Sequence, residues 1–109
     1  MFELSPNPGG TWTETVLHSF PGGQDGSNPE YSPLTFDKNG NLYGETVGGG
    51  NDRCSGGCGV VFKVSPAGGG SWTETDVYRF KVTDGVFPWK GLVFDAVGNL
   101  YGTTQNGGA

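Results

Sequence analysis

The segment Leu34-Thr35-Phe36-Asp37-Lys38-Asn39-Gly40-Asn41-Leu42-Tyr43-Gly44-Glu45-Thr46 returns as Leu92-Val93-Phe94-Asp95-Ala96-Val97-Gly98-Asn99-Leu100-Tyr101-Gly102-Thr103-Thr104. Other pieces repeat around it. Met1-Phe2-Glu3-Leu4-Ser5-Pro6 matches Val61-Phe62-Lys63-Val64-Ser65-Pro66, and Trp12-Thr13-Glu14-Thr15 matches Trp72-Thr73-Glu74-Thr75. Phe20 matches Phe80, and Asp25-Gly26 matches Asp84-Gly85. The offset is 60 residues at Phe2/Phe62 and 58 at Leu34/Leu92, so short deletions fall in loops. A period in this range defines a repeat architecture. Each unit is then one supersecondary element that buries its apolar face against the next.

Within a unit the pattern predicts four strands: Leu34 to Asp37, Asn41 to Val47, Gly59 to Ser65 and Trp72 to Phe80. Asn39-Gly40 between the first two favours the positive φ of a tight hairpin turn. Pro66-Ala67-Gly68-Gly69-Gly70 is expected to stop the third strand before the fourth. A long Gly-rich loop joins the second and third, and a connection carrying Asp84-Gly85 and Pro88 leads onward. No segment holds helical apolar spacing without a Gly or Pro break. Four antiparallel strands in a unit of this length are the size of a propeller blade. A β-sandwich is the other all-β choice, but it does not explain a four-strand repeat.

Composition supports the all-β reading and excludes several functions. Glycine supplies 22 of 109 residues without a collagen period, while 13% aromatics argue against disorder. The net charge is −5 with no basic cluster, which argues against nucleic acid as a partner, because that binding rests on Lys and Arg neutralising phosphates. No apolar run is long enough to span a membrane as a helix. No signal peptide is visible, so a mature region or an excised piece is the expectation for a secreted protein. The two cysteines lie in Cys54-Ser55-Gly56-Gly57-Cys58. A small disulfide loop is the expected state, suiting an extracellular or cell-surface setting. Free thiols and half a metal site are the alternatives, the latter lacking ligands because the only histidine is His18.

The phase of the repeat sets the expected organisation. Residues 1–20 hold strands three and four of one blade, 33–80 a complete four-stranded blade, and 91–109 strands one and two of another. The chain therefore carries two blade-equivalents as half, full and half. Its end pieces are complementary but cannot meet within one chain, because two blades do not close a ring. Each would leave an unpaired strand edge. The expected resolution is head-to-tail association into a ring or filament. Propellers hold about four to eight blades, so a ring would be a trimer or a tetramer. Phe2, Leu4, Trp12 and Phe20 on one end and Leu92, Phe94, Leu100 and Tyr101 on the other are the expected assembly strands. The chain could also be a window from a longer repeat protein.

The string Leu-x-Phe-Asp-x-x-Gly-Asn-Leu-Tyr-Gly-x-Thr, then Gly-Val-Val-Phe-Lys-Val-Ser-Pro, then Trp-Thr-Glu-Thr, resembles the bacterial GloVer repeat. More loosely, its Phe-Asp…Gly-Asn-Leu-Tyr core is similar to NHL-type propeller blades. The resemblance covers nearly the whole chain as two permuted copies. It implies a propeller-type blade of secreted or surface bacterial proteins, and it implies no reaction.

Residues present in both copies are expected to serve the blade, and residues present once are freer for function. Asp37 and Asp95 read as hairpin-turn residues rather than calcium ligands, because Val97 replaces Asn39. Glu14 and Glu74 read as solvated outer-strand residues, and Trp12 and Trp72 as packing. Single-copy residues are His18 (opposite Tyr78), Glu45 (opposite Thr103), Trp89 (opposite Glu30) and Phe87 (opposite Asn28). Phe87, Trp89 and Lys90 are the candidate ligand-binding residues. An exposed Trp beside a Lys can stack on a sugar, although packing on a neighbouring blade is the plainer role. No catalytic triad, phosphate loop, metal set or cofactor motif is present, so no cofactor and no catalytic residue is expected. The expected function is a structural, self-assembling scaffold. A carbohydrate- or protein-binding module, with a polysaccharide ligand, is the rival. An enzyme whose site forms only in the assembly, around His18 or Glu45, is the weakest reading.

Overall fold

The hairpins that the two copies share pair in the same register. The structure, a computed structural model, describes residues 1–108. Its strands are β1 (Phe2–Pro6), β2 (Trp12–Val16), β3 (Thr35–Phe36), β4 (Leu42–Thr46), β5 (Val60–Gly68), β6 (Ser71–Arg79), β7 (Val86–Pro88), β8 (Val93–Phe94), β9 (Leu100–Tyr101) and β10 (Thr104–Asn106). A single 3-10 turn, Gly23–Asp25, is the only helical element among the described residues. β3-β4-β5-β6 form one four-stranded antiparallel sheet in chain order, while β1-β2, β8-β9 and β7-β10 form two-stranded sheets.

Register carries the equivalence. β1 pairs β2 with Phe2 opposite Val16 and Leu4 opposite Glu14, and β5 pairs β6 with Phe62 opposite Asp76 and Val64 opposite Glu74. β3 meets β4 with Phe36 opposite Leu42, and β8 meets β9 with Phe94 opposite Leu100. Each of these short hairpins is closed by its aspartate. Asp37 Oδ1 accepts the amides of Asn39 and Asn41 at 2.8 and 3.0 Å, and Oδ2 accepts Asn41 Nδ2 at 2.7 Å and the Tyr43 hydroxyl. Asp95 repeats the set with Val97, Asn99 and Tyr101. Position 97 contributes only its amide, which is why valine can stand where the first copy has asparagine. The bonds to Asn41 and Asn99 hold both aspartates below the usual carboxylate range.

The core lies between the segment that follows β2 and the central sheet. Leu17, Leu42, Val60, Phe62 and Val64 are buried together, with Met1, Phe20 and Trp72 packed on them. Phe62 reaches over Gly44, where an added Cβ would come within 2.6 Å of the ring. β6 alternates exposed and half-buried residues from Ser71 to Val77, the period of a strand with one face covered. The molecule measures 52 × 33 × 23 Å. Its radius of gyration of 14.8 Å exceeds the roughly 13 Å of a compact chain this long.

Two details differ from expectation. β5 does not stop at Pro66 but runs to Gly68, with Pro66 opposite Trp72. The ladder with β4 ends at Val64, so Pro66 stands where β5 has no partner on that side and its missing N–H is tolerated. The connection after β6 also contains a strand: Val86 pairs with Asn106 and Pro88 with Thr104. The first copy keeps a trace of this pairing as the bridge between Ser27 and Gly48.

Candidate functional site

β4 is flanked on both sides, by β3 and β5, whereas β9 has β8 alone. β5 lies between β4 and β6, whereas β1 has β2 alone. The strands that the repeat makes central are therefore edges at the two ends of the described chain. Exposure follows. Phe62 is 1% exposed and Val64 0%, but their equivalents Phe2 and Leu4 are 60% and 50% exposed. Trp12, Val93 and Tyr101 are exposed too. Of the other residues expected on these ends, Phe20 is not on an edge. It packs inside the chain, its ring centroid 4.8 Å from that of Phe62. Leu92 is buried, and Phe94 meets Tyr43 edge-to-face at 5.0 Å.

Beside β9 lies a cavity of about 340 Å³, walled by Val61, Val77, Phe80, Leu92, Leu100 and Gly102 and reached by Glu45. Glu45 is almost wholly buried, at 1% exposure. Its Oε2 accepts the Gly91 amide at 2.9 Å and the Ser32 hydroxyl at 3.1 Å. Burial outweighs those bonds and pushes its carboxyl up. Glu45 ties the Ser32 connection to the start of the next hairpin, a role that Thr103 does not share.

At the other face, His18, Asp25 and Glu74 bring three donor atoms within 4.8 Å of one another. His18 Nε2 lies 3.0 Å from Asp25 Oδ2. The same bridge recurs in the second copy, where the Tyr78 hydroxyl donates to Asp84 at 2.6 Å. The His-for-Tyr exchange therefore preserves a link from the outer strand to the following connection. Glu74, expected to be solvated, is instead half-buried against Asp25 and Asp76. Burial, then the carboxyl of Asp25 and the charge of Asp76, push it up to about 8. The donors are of the kind that suits a divalent cation, but a proton on Glu74 already relieves the repulsion between the carboxyls. Arg79 closes the cluster through Asp76.

Trp89 stacks on Tyr31 with planes 10° apart and centroids 5.4 Å apart, and Lys90 Nζ sits 5.8 Å from the Trp89 ring. Phe87 and Lys90 hold positive φ of 58° and 88°, as do their counterparts Asn28 and Tyr31. The Phe87 amide donates to Cys58 carbonyl at 2.8 Å, which anchors the strained turn to the cysteine loop. Cys54 and Cys58 are joined by a disulfide, with Cα atoms 5.1 Å apart. In that loop Gly49 bridges Gly57 so closely that a Cβ on Gly57 would collide with the Gly49 backbone.

Fold and edges together define an all-β tandem-repeat protein with antiparallel sheets. The chain belongs to the Gloeobacter/Verrucomicrobia repeat family, whose model matches residues 1–109. No curated protein and no solved structure matches it. No helix among the described residues is long and apolar enough to cross a membrane.

Proposed function

We propose that this chain is a self-assembling scaffold of propeller-type blades, in which the β8-β9 hairpin of one copy and the β1-β2 hairpin of the next make one four-stranded blade. One observation carries the reading: Phe2 and Leu4 are exposed at positions where Phe62 and Val64 are buried by a neighbouring strand. Unpaired edges with apolar side chains are templates for strand addition. The contact is head-to-tail, so it closes into a ring or continues as a filament. A closed ring of about six or eight blades is a trimer or tetramer. No reaction is part of this reading. Extracellular or cell-surface placement is part of it, supported by the Cys54–Cys58 bridge. Native mass spectrometry tests it: masses at multiples of 11.4 kDa are expected. A folded monomer at every concentration would refute it.

A second reading, a carbohydrate- or protein-binding module, is favoured by the Tyr31–Trp89 stack. Tyr31 is largely exposed, and a shallow cavity of about 300 Å³ opens beside Trp89 and Lys90. Neutral polysaccharide fragments should quench the fluorescence of the wild type and not of Trp89→Phe. No response in either chain removes this reading.

A further inference from the structure

Resting on the head-to-tail reading above, we infer that the cavity beside β9 is a socket for the side chain of Phe2 of a second copy. The first repeat shows the socket filled. Leu17, Phe20, Leu42 and Gly44 stand there where Val77, Phe80, Leu100 and Gly102 stand in the second. Phe62 occupies the space between them, packed on Leu17, Leu42 and Phe20, its ring lying over Gly44. In the second repeat the same four wall positions recur, and the space they enclose is the cavity of about 340 Å³. A cavity of about 150 Å³ already accepts benzene, so there is room for a phenyl ring.

The intended occupant is identifiable because Phe2 holds the same place in β1 that Phe62 holds in β5, opposite the same position of the next strand. Within the chain, β4 meets β5 with Leu42 opposite Val64, Tyr43 opposite Lys63 and Gly44 opposite Phe62. Carried to the junction, this register sets Leu100 opposite Leu4, Tyr101 opposite Glu3 and Gly102 opposite Phe2 of the second copy. Gly102 lacks a Cβ where the incoming ring must pass, as Gly44 does beneath Phe62. Glu45 also lines the cavity: Ser32 and Gly91 hold its Oε2, while its Oε1 faces Gly102 at the edge of the space. Two side contacts follow from the same superposition. The Tyr43–Phe94 edge pair recurs as Tyr101 against Phe36 of the second copy, which joins two aromatics exposed in the single chain. The Asp25–Glu74 approach recurs as Asp84 beside Glu14 of the second copy.

Complementation tests the socket. Phe2→Ala removes the plug and keeps the socket, while Gly102→Trp blocks the socket and keeps the plug. Each variant alone is expected to be a folded monomer by circular dichroism and native mass, with association weakened at least a hundredfold. Mixed, they should form a one-to-one heterodimer and nothing larger, because only one productive junction remains. Leu100→Glu replaces Gly102→Trp if the latter does not fold. A wild type that assembles while Phe2→Ala assembles equally well, or a mixture that stays monomeric, overturns the socket and leaves the head-to-tail reading standing. A monomeric wild type overturns that reading itself.

Discussion

Phe62 and Phe2 share residue type, strand position and register, yet truncating them should have opposite consequences. Phe62 is fully buried and meets Phe20 ring to ring. Phe62→Ala therefore deletes a core aromatic and leaves a void, which costs about 3–5 kcal/mol. For a domain of about a hundred residues each kcal/mol lowers Tm by about 4–8 °C, so the midpoint should fall by well over 10 °C. Phe2 is 60% exposed in the single chain, so Phe2→Ala should change the stability of the dilute chain by no more than about 0.5 kcal/mol. What it removes is the junction. Covering the exposed part of a phenylalanine withdraws roughly 100 Å² from water, about 2.5 kcal/mol at about 25 cal/mol per Å². That corresponds to nearly a hundredfold in Kd per junction, before any cavity term. Urea melts followed by tryptophan fluorescence, at dilute and concentrated protein, separate the two effects. The wild-type midpoint should climb with concentration by mass action, the Phe2→Ala midpoint should not, and Phe62→Ala should be low at both. A dilute Phe2→Ala chain destabilised as severely as Phe62→Ala would refute the equivalence of the two positions.

Further outcomes follow from the loop and the carboxyl cluster. Cys58→Ser opens a loop of sequence separation 4, which the chain-entropy account values at about 2 kcal/mol; denaturant melts should show a loss of that size. Gly57→Ala places a Cβ against the Gly49 backbone at a φ of 91° and should cost about 3 kcal/mol or more, seen as a lowered melting midpoint. Glu74 keeps its proton in the folded chain up to about 8, whereas in the unfolded chain it releases it near 4.5. Its contribution is therefore complete below about pH 4.5 and is lost as pH climbs through about 8; buried Glu45 acts in the same sense. Melts of Phe2→Ala, with association removed, should decline from pH 5 to pH 9, and adding Glu74→Gln should flatten the decline.

Much of the fold is legible in the residues because the chain states its pattern twice. β3, β4 and β6 fall where the Phe-Asp…Gly-Asn-Leu-Tyr and Trp-Thr-Glu-Thr strings put them, whereas β5 runs past its expected end at Ser65 to Gly68. The β7–β10 pair escaped because Val86-Phe87-Pro88 is short and ends in proline; only its neighbour across the sheet makes it a strand. Separating single-copy from repeated residues singled out His18, Glu45 and Trp89, and each has a distinct environment in the structure. The same separation dismissed Glu74 because Glu14 matches it. Yet Glu74 meets Asp25 of the preceding connection, while Glu14 is exposed and has no such neighbour among the described residues. Equivalence in sequence is equivalence of environment only when both neighbours of a repeat are present. The cavity was invisible for a related reason, since a void is defined by the residue that does not fill it.

If the register inside one chain continues between chains, covalent trapping of the junction should capture it. Leu4→Cys with Leu100→Cys places two thiols at positions that face each other across the junction, within the reach of a disulfide for cross-strand neighbours. Because Cys54 and Cys58 are already bridged, mild oxidation should give a ladder at multiples of 11.4 kDa on a non-reducing gel. Leu4→Cys with Val97→Cys, out of register, should give none. A double variant that stays a single band, or two pairs that cross-link equally, would contradict the account.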